Sequence, residues 1–418
     1  MRINSLLGEL ILFWRIPNHM IDRVNPWALP IAIATPALFG SAVSVWIFGI
    51  IALCVARTLS GTMALVSSGP VTTVAVLFAC WFAVHGVFGL AHWHTAETLL
   101  EIGETLPFVG MLFLYAGISL TSPRRLVLPT QAAIAASAIL AGILASAQLS
   151  AGMLRAEGGT HNPGPFALMS LLLYGYCLVS IAQSSGWIRI AAIAGVAAAY
   201  LSVVFSGMRT FWPGLLLLPI VVAILYRAQL RNNVGWRELV VGALLVGILL
   251  AISAPFVESR VSLLFVEFEN FDHNLNYRSA LDQRVALWRA GISLFLEAPL
   301  AGHGLETTPL LAAETERLFG QPYARSHFHN AVIDVGVRCG IVGILLLIAM
   351  ITSPLIIAAR GRKSDIGRFG FAMMCVLMTS YGLAGIGGLM LGHDIMDAVF
   401  IFSTTYWLVF ALESRKTG

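Results

Sequence analysis

Five side chains in this sequence combine types and spacings that can do chemistry. Arg209 stands in the polar stretch FSGMRT between two apolar runs, and Arg284 stands in DQRVALW, four residues before Trp288. His327, His329 and Asn330 fall in RSHFHNAVIDVGVRCGIVG, directly before a long apolar run. Arginine carries a planar fork of donors that stays charged and matches phosphate oxygens two at a time. A histidine, with an ordinary pKa near 6.5, can take a proton from a hydroxyl at neutral pH. Two arginines and a histidine brought together could hold a diphosphate leaving group and activate an attacking hydroxyl beside it.

Metal and nucleotide chemistry find less support. His92-Trp93-His94, His327-Phe328-His329 and Glu267-Phe268-Glu269 are alternating pairs, but none has a companion cluster at zinc-like spacing. No metal or other cofactor is assigned. The chain holds neither a P-loop nor a GxGxxG opening a soluble helix, and no nucleic-acid partner is expected. The five cysteines lie in or beside apolar spans and read as small packing residues.

The elements that must position these groups are membrane helices. The chain has 418 residues, is 58% hydrophobic and carries only 11% charge. Such a composition excludes an ordinary soluble domain. Apolar stretches long enough to cross about 30 Å of hydrocarbon recur along it. They place twelve helices near 25–39, 41–57, 70–90, 99–119, 127–149, 164–183, 188–206, 211–227, 238–256, 329–357, 367–388 and 395–412. The expected fold is therefore all-α and polytopic. Residues 1–256 hold helices one to nine, 257–328 form a long outer loop containing helices, and 329–418 hold helices ten to twelve. The first pair is separated only by Pro36 and Gly40.

Charge sets the orientation. One side carries Arg23, Arg57, Arg124, Arg125, Arg189, Arg227, Arg231, Arg237, Arg360, Arg362, Lys363 and Arg368, together with Arg2, Arg15, Arg415 and Lys416 near the termini. The short connections opposite carry Arg155 and Arg209. Lysine and arginine gather on the cytoplasmic side, so both termini are expected there and the long loop outside. In that loop 279–300 reads as a helix: Ser279 can cap it with Asp282 three residues on, and Pro299 ends it. Leu281, Val285, Trp288, Ile292 and Phe295 would form its apolar face. Asp334 and Arg338 share a helix face and read as a structural ion pair.

Three segments carry a resemblance. His329-Asn330, nine residues, then Gly340, two residues, and Gly343 form HN-x9-G-x2-G. FSGMRT resembles an SxSR segment with Met208 where the second serine is usual, and DQRVALWRAGISLFLEAPLAGHG resembles an R-x3-W segment followed by P-x-x-G-x-G. In this order, over about residues 200–350, they resemble the bacterial O-antigen ligase family and its wider superfamily. That resemblance implies a C-type, inverting glycosyltransferase in the bacterial inner membrane with its active site facing the periplasm. It would move a glycan from undecaprenyl diphosphate to lipid A–core oligosaccharide without metal or nucleotide sugar. It implies that Arg209 and Arg284 bind the diphosphate, that His329 is the base, and that His327 and Asn330 orient it. Gly340 and Gly343 would be packing glycines. An O-antigen polymerase, whose acceptor is another lipid-linked repeat unit, shares this chemistry. A transporter using the Asp334–Arg338 pair is the reading from a different class.

Overall fold

The computed structural model describes residues 18–65, 69–93, 95–233, 235–271, 277, 279–388 and 390–413. Arg2, Arg15, His94, Arg415 and Lys416 lie outside the described residues. Every regular element among the described residues is a helix. Apart from the short helices Pro36–Phe39 and Arg227–Asn233, these are in chain order α1 (Asn18–Ala34), α2 (Ala42–Leu59), α3 (Gly69–Ala91), α4 (Ala96–Ile118, with a 3-10 turn at Leu106–Gly110), α5 (Pro123–Ser150), α6 (Pro163–Gln183) and α7 (Gly186–Phe205). There follow α8 (Arg209–Leu225, opened by a 3-10 turn), α9 (Trp236–Glu269), α10 (Ala280–Glu297), α11 (Thr308–Phe319), α12 (Ala331–Ala359), α13 (Asp365–Gly387) and α14 (Asp394–Ala411). Ten of them are long and apolar enough to cross a membrane. The two remaining expected spans are the shorter helices α1 and α8. The chain is a multi-pass membrane protein.

Local chemistry explains most boundaries. The first pair of spans parts where a short helix, Pro36–Phe39, ends at Gly40 with φ 52°, a left-handed conformation that suits glycine. Proline opens α5 and α6, where its missing N–H costs nothing. Helix α9 departs from expectation: it runs 34 residues to Glu269, so residues 257–269 continue a helix that was expected to end at 256. Glu258 and Arg260 resemble an exit from the apolar span, but VSLLFVEFE beyond them keeps helix-forming, apolar composition.

The core centres on α6 and α14, which are buried almost throughout. Trp407 of α14 donates to the Tyr176 hydroxyl of α6 at 3.0 Å, giving a buried indole N–H its partner. Small residues let α5 and α7 approach: a Cβ on Gly142 would sit 2.7 Å from the Cβ of Ala198. Helix α9 instead leaves Val241, Leu244, Ile248 and Ile252 exposed, as a lipid-facing element would.

Candidate active site

Helix α10 begins as its sequence dictates. Ser279 accepts from the Asp282 N–H while the Asp282 carboxylate accepts from the Ser279 N–H, a complete capping box. Its buried stripe differs from the expected one. Ala286, Leu287, Ala290, Gly291 and Leu294 are buried, whereas Ile292 of the expected face is half exposed. The small residues are what allow close approach: a Cβ on Gly291 would lie 2.3 Å from Ile333 and 2.7 Å from Phe328. Leu287, Ala290, Leu294, Leu311, Phe328 and Val337 thereby form a satellite core under the outer loop.

That core fixes the histidine segment. Phe328 is fully buried in it, between His327 and His329. His329 has φ 53°, a left-handed conformation uncommon for a side chain of its kind. Its neighbours hold it there. Trp288 Nε1 donates to the His329 carbonyl at 3.3 Å, and Asp334 Oδ1 accepts from the Phe328 N–H at 3.2 Å. Asn330 caps α12, accepting from the N–H groups of Val332 and Ile333 at 3.0 and 3.2 Å. Arg338 reaches back to the Ser326 carbonyl at 3.0 Å and pairs with Asp334 at 3.0 Å and Glu101 at 2.5 Å. The expected Asp334–Arg338 pair exists, and it braces the loop that carries the histidines.

Gly340 permits close packing, as expected, and it also kinks the helix. Its φ of 61° breaks α12 into two segments. The turn after α10 docks into the break: Ile341 N–H donates to Pro299 at 2.8 Å, while the N–H groups of His303 and Gly304 donate to Val337 and Arg338 at 2.7 and 3.1 Å. Carbonyls freed by the kink thus find partners. A Cβ at Gly340 would meet the Leu300 carbonyl at 2.3 Å, so both the φ and the space require glycine.

A cavity of about 200 Å³ lies where these parts meet. It is lined by Arg284, His327 and His329, by Asn162, Gly164 and Pro165 at the start of α6, and by Met208, Thr210 and Phe211 at the start of α8. Ala384, Gly387 and Gly388 at the end of α13 and His393 and Met396 at the start of α14 complete it. The N-termini of α6, α8, α12 and α14 therefore converge on one space, each contributing partial positive charge.

The cationic side chains are arranged unequally. Arg284 makes no hydrogen bond or salt bridge with any of the described residues, although it is largely enclosed. Burial, followed by the nearby Arg209, lowers its pKa, with Glu267 opposing and Arg155 adding to the depression. Arg209 sits beside the cavity rather than in its wall. Its Nη2 is held by Glu267 at 2.8 and 3.1 Å and its Nη1 donates to the Arg260 carbonyl at 3.3 Å. The structure thus brings Arg284, His327 and His329 into one cavity and leaves the Arg209 guanidinium next to it, engaged by a carboxylate. Arg155, Arg260 and His393 also converge here, and none was singled out as a site residue from sequence. The signal for Arg155 was available, since it shares with Arg209 the side that is otherwise poor in basic residues.

His327 and His329 contact each other, His327 Nε2 to His329 Nδ1, at 3.2 Å. Both are lowered to a pKa of about 4, His329 by burial and then by the charges of His327, Arg284 and Arg325, and His327 by burial and then Arg338 and Arg325. Both rings are therefore neutral at pH 7. Among the described residues no group of three or more His, Cys, Asp or Glu side chains is placed to hold a metal ion.

Comparison with known proteins bears on the same segment. A family model described as O-antigen ligase matches residues 193–348. The O-antigen ligase of Escherichia coli strain K12 is 27% identical over 150 residues, which is 35% of this chain and 33% of that protein. The match thus spans about a third of the relative's length. Over the segment that carries Arg209, Arg284, His327 and His329, this chain is similar to the O-antigen ligase family.

Proposed function

We propose that this protein is an inverting glycosyltransferase of the O-antigen ligase type. It takes a glycan from undecaprenyl diphosphate and joins it to lipid A–core oligosaccharide at the periplasmic face of the bacterial inner membrane. The observation that carries the reading is the enclosed, unpaired Arg284 guanidinium sharing a cavity with His329. A half-buried arginine with no hydrogen-bonded partner gains one when an anion arrives.

In this reading the donor's lipid tail stays in the bilayer while its diphosphate enters among the helix N-termini. Arg284 binds the phosphate oxygens directly, and Arg209 does so once its hold on Glu267 loosens. His329 is neutral and its Nδ1 faces His327, leaving Nε2 for the acceptor hydroxyl. The hydroxyl oxygen attacks the anomeric carbon opposite the diphosphate, its proton passes to Nε2, and the bond to the diphosphate breaks with inversion. Bound diphosphate raises the proton affinity of His329 through its negative charge, so the base strengthens where it is needed. The leaving charge is neutralised by arginine and by helix N-termini, and the reaction so written uses no metal. Asn330 acts on His329 through the backbone, by capping the helix that follows it.

Reconstitution with undecaprenyl diphosphate-linked glycan and lipid A–core tests this. His329→Ala should lower transfer by roughly 10²- to 10⁴-fold while donor binding is kept. Wild-type transfer by this variant would remove His329 as the base. Supplying lipid-linked repeat units as the sole acceptor separates ligase from polymerase, since elongation of those units alone would assign the polymerase reaction.

A further inference from the structure

A second polar space of about 220 Å³ lies behind the histidine segment, lined by Glu101, Glu104, Ser326, Asp334, Arg338 and Gly392 among others. The chain at Ser326–His327 and Gly392–His393 runs between it and the first cavity: Ser326 and Gly392 line one space and His327 and His393 line the other. It is large enough to hold several water molecules. Side chains bridge the two spaces continuously. His329 Nδ1 lies 3.2 Å from His327 Nε2, and His327 Nδ1 lies 3.1 Å from Ser326 Oγ.

We propose that His327 and Ser326 form a proton relay that drains His329 into this second, carboxylate-lined space. The inference rests on His329 being the base. In the working tautomer His329 carries its proton on Nδ1 and donates to His327 Nε2, and His327 carries its proton on Nδ1 and donates to Ser326 Oγ. When His329 Nε2 accepts the acceptor's proton, the Nδ1 proton passes to His327 Nε2. The His327 Nδ1 proton passes to Ser326 Oγ, and the hydroxyl's own proton leaves into the second space, where water and the Glu104 carboxylate receive it. One proton enters and one leaves, with no redox change.

The arrangement has a physical reason. An imidazolium at His329 would stand beside Arg284 and Arg325 in a largely enclosed site, where holding the charge is unfavourable. Among the described residues no carboxylate lines the first cavity, whereas Glu104 lines the second. The left-handed backbone at His329 is one of the features that set its ring against His327. Arg338 holds the Ser326 carbonyl at 3.0 Å, which keeps the end of the relay at the second space.

The test uses the full-length protein in lipid, with undecaprenyl diphosphate-linked glycan as donor and lipid A–core as acceptor. His327→Gln keeps a hydrogen-bond acceptor for His329 but cannot pass a proton. It should lower kcat by about 10- to 100-fold, within the range general acid–base groups supply, and leave the donor KM within twofold. Ser326→Ala should lower kcat by a smaller factor, and Ser326→Thr should restore it. Added imidazole should recover part of the His327→Ala rate, and the proton inventory in mixed H₂O and D₂O should change from multi-proton to single-proton. Wild-type kcat in His327→Gln, or a raised KM at unchanged kcat, would overturn the relay. With His329→Ala inactive, either result removes the relay alone, whereas an active His329→Ala removes the base itself.

Discussion

Arg338 and Arg209 each pair with a carboxylate, yet they are built for different ends. Arg338 is outnumbered by carboxylates: Asp334 and Glu101 pair with its guanidinium, and its Nη2 donates to the Ser326 carbonyl. Arg209 has one carboxylate, Glu267, and that carboxylate also faces the field of Arg284. Around Arg338 negative charge exceeds positive. Around Arg209, with Arg155, Arg260 and Arg284 close by, positive charge exceeds negative. An arginine paired with two carboxylates has little charge left to offer an anion and acts as a brace. A cluster short of carboxylates is incomplete until an anion joins it, and the unpaired Arg284 is its extreme case.

The contrast breaks most visibly at Arg338. Removing one partner of a buried pair leaves the other uncompensated and costs about 3–5 kcal/mol. Arg338→Met should therefore lower the thermal unfolding midpoint clearly, in the same detergent as the wild type. Transfer activity should fall with it, because Ser326, Phe328 and His329 lose their brace. An unchanged midpoint would mean that Arg338 is not structural, and the distinction drawn here would collapse.

Arg284 should behave in the opposite way, with function lost and fold kept. A hydrogen bond to a charged group contributes about 1.5–3 kcal/mol, so Arg284→Ala should lower kcat/KM for the donor by roughly 10- to 150-fold. Arg284→Lys should recover only part of this, since lysine lacks the planar fork. The unfolding midpoint should hold or rise, because an enclosed, unpaired cation has been removed. A lower midpoint with unchanged kcat/KM would place Arg284 with Arg338 among the scaffold groups.

This difference between arginines was not legible in the sequence, and the reason is physical. Apolar length marks a membrane helix locally, so the spans could be read directly, as could the Ser279 and Asp282 capping box. The partner of an arginine is not local. Glu267 reaches Arg209 because α9 continues to Glu269, past the point where Glu258 and Arg260 suggest an exit. Arg155 and Arg260 join the cluster through tertiary packing alone. The packed face of α10 differs from the expected one for a related reason: Trp288 and Phe295 pack as expected, but Ile292 is exposed, while close approach to Phe328 and Ile333 buries Ala290 and Gly291. Gly340 stands in a readable motif, but its left-handed backbone is required by a turn some forty residues earlier. Spacing could name His329 and Arg284, but only the packing shows that they share a space.

Glu267 gives the smallest and most discriminating effect. Its carboxylate holds Arg209 through both oxygens, and both side chains keep partial access to solvent. Such a pair contributes at most about 1 kcal/mol, so Glu267→Gln should move the unfolding midpoint little. Two opposing changes then act on the donor. The arginine loses the group that positions it, which weakens binding, while the cluster gains one unit of positive charge and frees the fork, which strengthens it. If Arg209 belongs to the anion site, the second change dominates and the donor KM falls by about twofold to fivefold, the scale of one screened charge pair. Added salt should erase the gain, because exposed charges are screened over about 10 Å at 0.1 M. A donor KM that rises in Glu267→Gln, at low and high salt alike, would instead make Glu267 a positioning group for Arg209 and narrow the anion site to Arg284.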